Sequence, residues 1–299
     1  SNNSSQHFNG YMTHVSLVDG QQLAPTVFGQ TDSTSGIWKF KSPSGVTWGN
    51  NGFHLKFENS AALGTDSSGN TNTFTVNGNL KQALDTPSNV SATLTPLAKS
   101  NGTLTNGNTT WAPSGNNASV WSSIAVNSGK WYFEMKKTSG DAALSFSNTP
   151  KFNGFDSGSD ANSMTAYMYY SSGGASNNRF RYNGTNTAFP SGFGDDDVGT
   201  IYGVTMDFTN DEIIIRRNND DSTKATFSIP AALKAEPIHV GYSVSSTWPA
   251  GSFDFNFGNG FFGTTAITSA GSNGNGSLFE YDVPSGYYAL NTKNINTYG

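Results

Sequence analysis

An antiparallel β-sandwich is the fold class this sequence predicts, and three observations predict it. Apolar and polar residues alternate in short runs, clusters of Gly, Asn, Ser and Asp separate those runs, and helical periodicity is nearly absent. Trp131-Tyr132-Phe133-Glu134-Met135-Lys136 reads as one strand, Ile201 to Phe208 as another, then Glu212 to Arg216 and Phe253 to Phe257. In the last of these, Phe253, Phe255 and Phe257 share one face while Asp254 and Asn256 take the other. Trp121, Trp131, Phe133, Phe208, Phe255 and Phe257 are the aromatics expected in the core. Ile229 to Glu236 is the one stretch with helical character, opened by Pro230 and stopped by Pro237.

Composition narrows the function classes. The 299 residues suffice for about two domains. Charged residues make up 12% and aromatics 13%, with 34 glycines, which excludes a charged coiled coil. Sixteen basic against 21 acidic residues leave a net charge of −5, too small to hold the chain unfolded by repulsion. The absence of cysteine removes a disulfide framework, a thiolate zinc site and a cysteine nucleophile together. There is no block of Lys or Arg, so nucleic acid is not an expected partner. The most concentrated apolar run, Ile213 to Ile215, falls far short of the ~18 residues of a membrane helix, so no membrane insertion is expected. The opening Ser1-Asn2-Asn3-Ser4-Ser5 has neither Met nor an apolar leader, and reads as a processed product or a piece of something longer.

The alternating pattern lapses between about Leu84 and Thr110, where Pro87, Pro96 and a polar run intervene. The expected boundary lies there: residues 1–100 form a β-rich segment with a linker, and residues 101–299 form the sandwich. Residues 157–194, with Ser171-Ser172-Gly173-Gly174, read as long loops at a sandwich edge, where binding residues concentrate.

Four segments follow one another in a recognisable order: Ser128-Gly129-Lys130-Trp131-Tyr132-Phe133-Glu134, Asp197-Val198-Gly199 through Asp207-Phe208, Glu212 to Asn219, and Pro237-Ile238-His239-Val240-Gly241 with Asn256-Phe257-Gly258. Together they resemble a SPRY domain, a two-sheet sandwich of the concanavalin-A-like class. Phe8-Asn9-Gly10-Tyr11 through Asp19-Gly20 is similar to the closing strand of a laminin-G-like sandwich. Phe53-His54-Leu55-Lys56-Phe57 with Asp66-Ser67-Ser68-Gly69-Asn70-Thr71-Asn72 is similar to that class's opening strand and loop. The order is inverted, so the partners of the first element either lie upstream of Ser1 or the element completes another sheet. With Ser35-Gly36-Ile37-Trp38-Lys39 and the segment Val283 to Asn291, the whole resembles structural proteins of tailed phages, marine ones especially. The resemblance implies an extracellular virion location, contact with other virion subunits and a homotrimer.

Sandwiches of this class include glucanases, in which two carboxyl groups lie ~5 Å apart for retaining hydrolysis. Glu134 and Asp254 each lack a second acid two or four residues along the strand, and Asp207 and Asp211 straddle a turn, so no catalytic residue is expected. His7, His14, His54 and His239 stand in separate segments without ligand spacing, and core or surface roles are expected for them. Asp66, Asn70 and Asn72 present oxygens at alternating positions; a hairpin turn accounts for them, and calcium, which the resemblance also implies, does too. Asp195-Asp196-Asp197 is a weaker cation candidate against a plain solvated loop. Loop aromatics beside polar groups suit a pyranose. Tyr170, Tyr182 and Trp248, with Arg181, are the residues expected to bind a ligand. The expectation is a non-catalytic virion protein, tail fibre or capsid-attached fibre, binding host glycan or protein without a cofactor. A purely structural spacer and a polysaccharide depolymerase are the alternatives.

Overall fold

A computed structural model describes residues 12–33, 36, 38–59, 61–78, 80, 82, 85–86, 89–115, 117–150, 158–168, 178–190, 193, 197–243, 251–267, 271–272, 274 and 276–299. The chain forms two units, Ser1–Pro87 and Ser88–Gly299. The N-terminal unit is built from very short strands. β1 (Val15–Leu17) pairs antiparallel with β4 (Phe53–Leu55), Val15 opposite Leu55, and β2 (Gly29–Thr31) pairs with β3 (Trp38–Phe40). Of the segment Phe8 to Asp19, Val15–Leu17 takes Phe53–Leu55 as its partner, and Phe8 to Tyr11 lie outside the described residues.

The second unit is an antiparallel sandwich. One sheet runs β13 (Thr185–Ala188), β12 (Arg179–Tyr182), β11 (Ser163–Met168), β10 (Ala142–Ser147), β17 (Ile238–Ser243), β8 (Ser119–Val126), β5 (Leu94–Ser100). The facing sheet runs β16 (Ala225–Ser228), β15 (Glu212–Arg217), β14 (Ile201–Asp207), β9 (Lys130–Lys137), β18 (Phe253–Asn256), β7 (Thr110–Pro113), β6 (Gly102–Thr105). A hairpin of β19 (Phe261–Phe262) and β20 (Thr265–Ala266) follows, and β21 (Tyr288–Ala289) joins β9 in parallel. Trp131, Phe133 and Met135 of β9, Val204 and Met206 of β14 and Phe253 and Phe255 of β18 meet Val120, Leu144, Phe146, Met164 and Val240 of the other sheet in one continuous core. All six aromatics expected inside are buried.

Three features depart from the sequence reading. Residues 94–105 supply β5 and β6 rather than a linker; Leu94 and Ala98 are buried, and Pro96 is tolerated because β5 is an edge strand whose pairing with β8 is interrupted between Leu94 and Lys99. Residues 157–194 hold β11, β12 and β13. Their alternation is hidden because Ser163 and Thr165, opposite in face to Met164 and Ala166, are buried too. The expected helix shortens to α1 (Ala231–Lys234), and α2 (Thr292–Tyr298) is new. The Asn-rich run of α2 reads as loop, yet the Asn291 side chain caps it by accepting from the Asn294 amide at 2.8 Å, and Tyr298 stacks on Tyr288 at 3.6 Å. No helix among the described residues is long and apolar enough to cross a membrane.

Candidate functional site

The acidic residues come first, since hydrolysis would need them. β9 and β18 pair so that Asn256 lies opposite Glu134 and Asp254 opposite Lys136. This sets Glu134, Asn256 and Asp254 on one face, turned away from the core shared by the sheets. This face is covered: Glu134 is 0% and Asp254 8% exposed. Tyr132, Phe279, Val283 and Ala289 pack together over it. Glu134 accepts from four donors: the Tyr132 hydroxyl at 3.0 Å, the Asn256 amide at 3.1 Å, and the backbone amides of Glu280 and Tyr281, both at 2.9 Å. Gly203 makes room for the Tyr132 ring and its hydroxyl, which a Cβ there would crowd. Asn256 completes the hub by donating to the Leu278 carbonyl and accepting from the amides of Gly258 and Gly260.

Burial raises the Glu134 pKa, and the four donors offset only part of that rise. Burial likewise raises Asp254, with the Thr110 hydroxyl at 2.5 Å and Lys136 opposing it. Asp207 caps its turn as expected, accepting from the amides of Thr209 and Asn210. Burial pushes its carboxyl up, but Lys130 at 2.9 Å and those amides outweigh burial and hold it low. Glu134 and Asp207 are thus engaged by the fold's own hydrogen bonds, while Asp254 accepts from Thr110 on one oxygen.

The expected ligand residues fall on two faces. Arg181 lies on the outer face of β12, where Arg179 sets its guanidinium 5.5 Å from the Tyr167 ring opposite it. The Arg181 Nε is enclosed without a hydrogen-bond partner. Tyr182, one residue along, faces the other way with Phe180 and packs against the core, so strand alternation separates it from Arg181. Tyr170 and Trp248 lie outside the described residues, as do Asp195 and Asp196.

Asp66, Asn70 and Asn72 do converge in the N-terminal unit, with their hydrogen-bonding capacity already directed inward. Asp66 accepts from the amides of His54 at 2.9 Å, Ser68 at 2.8 Å and Asn72 at 2.9 Å and from the Ser68 hydroxyl at 2.8 Å. Burial pushes this carboxyl up, and the donors outweigh it to hold it below the usual range. The side-chain amides of Asn70 and Asn72 donate to the carbonyls of Gly49, Asn50 and Gly52. Calcium at Asp66 would have to displace or share the N–H and O–H donors that already fill both of its oxygens. Among the described residues, no three His, Asp or Glu side chains form a metal-binding group.

Sequence reasoning treated the histidines separately, whereas the fold joins two of them. His14 Nδ1 lies 3.3 Å from His54 Nε2, His14 stacks on Phe40 at 3.6 Å, and Trp48 stacks against His54 at 5.5 Å. No local signal announces this contact, because its four rings come from segments joined only by the pairing of short strands.

No family model matches the chain, and no curated protein matches it. Among solved structures it is similar to the SPRY domain of human HERC1, at 14% identity and a TM-score of 0.42 over 54% of this chain and 96% of that one. It is similar to the TRIM65 PSpry domain at 12% identity and a TM-score of 0.41, over 56% of this chain and 89% of that one. It is also similar to stonustoxin at 14% identity and a TM-score of 0.40, over 56% of this chain and 27% of the toxin chain.

Proposed function

We propose that this chain is a non-catalytic, SPRY-like binding protein of a phage virion, a homotrimeric fibre or decoration component that attaches to host surface glycan or protein through its sandwich. The observation that carries the non-catalytic reading is the employment of its acids: Glu134, at the centre of the sheet face, is buried and saturated by four donors. The ordered sequence motifs support the SPRY-like assignment, and the phage context rests on the sequence resemblance. Arg181 on the outer face of β12, beside the Arg179–Tyr167 contact, is the described part of the proposed binding surface.

Binding of the purified full chain to host cells and to a glycan array tests this. Attachment that weakens when Arg181, Tyr170 and Trp248 are replaced by Ala supports the reading; a folded chain that binds nothing overturns it. The structural-spacer reading draws on one observation, Leu97 at 82% exposure on the edge strand β5, where a neighbouring subunit would bury it. A Leu97→Ser variant that dissociates the assembly while host binding is absent would favour that reading.

A further inference from the structure

We propose that the N-terminal unit carries its own sugar site, an open groove that stacks the apolar face of a neutral pyranose on Trp38. The groove encloses about 450 Å³ and is lined by Thr13, His14, Ser16, Phe28, Trp38 and Phe40. That volume lies within the ~300–1,000 Å³ of small-ligand clefts.

Trp38 is 52% exposed, yet its indole is not free to wander, because it lies against Gly29 on the paired strand. A Cβ at Gly29 would collide with the indole ring, so the glycine is what lets the ring rest on the strand. An exposed aromatic already ordered by the fold loses little entropy when a flat ligand arrives. The opposite wall is equally fixed. Asp66 holds the His54 amide, His54 holds His14, and His14 lies parallel to Phe40 with an interplanar angle of 12°. His14 adopts a φ of 48°, a backbone that non-glycine residues seldom take and that surrounding structure must enforce.

The lining chemistry selects the occupant. Rings supply stacking surface; the hydroxyls of Thr13 and Ser16 and the His14 imidazole supply the hydrogen-bonding capacity that ring hydroxyls need. None of the six lining residues is acidic, and none is Lys or Arg. The nearby Lys39 is engaged by Asp32 at 2.8 Å. An uncharged polyol with one apolar face fits this set, whereas a phosphate or carboxylate would lack a cation. The site involves no sandwich residue, so it stands or falls separately from the Arg181 surface.

The test is saturation-transfer NMR on the full chain with methyl α-glucoside, methyl β-galactoside, methyl α-mannoside and N-acetylglucosamine, each at about 10 mM to populate a millimolar complex. The expected result is transfer to the ring C–H protons of at least one probe. Binding should fall about tenfold in Trp38→Ala, persist in Trp38→Phe and be indifferent to Arg181→Ala. It should also survive about 1 M NaCl, where the screening length is ~3 Å. Absence of transfer to all four probes, unaltered binding in Trp38→Ala, or loss of binding in high salt overturns the proposal. Should Trp38→Ala fail to fold, Thr13→Val with Ser16→Ala replaces it, and unchanged binding there likewise overturns the site. Binding lost in Arg181→Ala but kept in Trp38→Ala would place the sugar on the sandwich and overturn this proposal alone.

Discussion

Asp66 in the N-terminal unit and Glu134 in the sandwich each accept four hydrogen bonds, and in both cases loop amides are among the donors. Their acidities nevertheless move in opposite directions. Asp66 is only half-buried, and its donors outweigh desolvation; Glu134 is sealed beneath Phe279 and Val283, and desolvation outweighs its donors. An equal count of hydrogen bonds therefore does not mean an equal electrostatic outcome, because the water removed differs. The shallow latch shapes a loop in a unit of three-residue strands. The deep latch ties the segment around Glu280 onto a sheet whose central strands β15, β14 and β9 run six to eight residues.

The sharpest way to break this comparison is to remove the deep acceptor. Glu134→Ala leaves two backbone amides and a tyrosine hydroxyl without this acceptor and the Asn256 amide with only the Leu278 carbonyl, and should destabilise the sandwich by about 3–5 kcal/mol. Urea unfolding followed by the emission of buried Trp111, Trp121 and Trp131 measures it; a loss under about 1 kcal/mol would show that the latch contributes no more than an ordinary hydrogen bond. Asp66→Ala should have a smaller effect, about 1–3 kcal/mol, confined to the N-terminal unit. Hydrogen exchange should show lost protection at the His54, Ser68 and Asn72 amides with the sandwich amides unchanged.

Acidity sharpens the contrast further. Burial, then Lys56, lowers His14, while burial, then His14 and Lys56, lowers His54; Glu58 opposes in both cases and Asp66 in the second. Below the ordinary value of 6.5 the unfolded chain therefore binds protons before the folded one does, and the N-terminal unit loses stability as pH falls from 7 toward 5. Two protonated rings would also set N–H against N–H across the His14–His54 contact. Glu134 has the opposite sign. Its folded pKa lies above 4.5, so its contribution to the sandwich improves as pH falls toward that value. Exchange rates at pH 7 and pH 5, compared between the units, should show acid loosening the N-terminal unit first; equal loosening contradicts the histidine assignment. The smallest expected effect is that of calcium. With Asp66 saturated and both asparagine amides donating, calcium followed by EDTA should leave the melting of the N-terminal unit unchanged, and a rise with calcium would show the cation displacing those donors.

How much of this was legible beforehand depended on whether a signal is local. The strands of Trp131–Lys136, Ile201–Phe208, Glu212–Arg216 and Phe253–Phe257 fall in β9, β14, β15 and β18 within a residue or two, because large apolar side chains alternate there. β5 and β11 were hidden, the first by Pro96 at an edge, the second by small polar residues on a covered face. Glu134 and Asn256 were visible as members of separate motifs. Their meeting at 3.1 Å across 122 residues, and with it their structural employment, required the β9–β18 register. Asp207 was legible as a turn residue because its partners lie two and three positions away.

By itself the sequence determined an all-β chain of alternating strands with an aromatic core, since side-chain alternation and turn chemistry act over a few residues. Only the tertiary structure decided which faces meet water, that Tyr182 and Arg181 part company, that Glu134 is roofed, and that His14, Trp38 and Phe40 line a groove. Those outcomes depend on which distant strands pair and in what register, and a one-residue change of register would turn every one of those side chains to the opposite face.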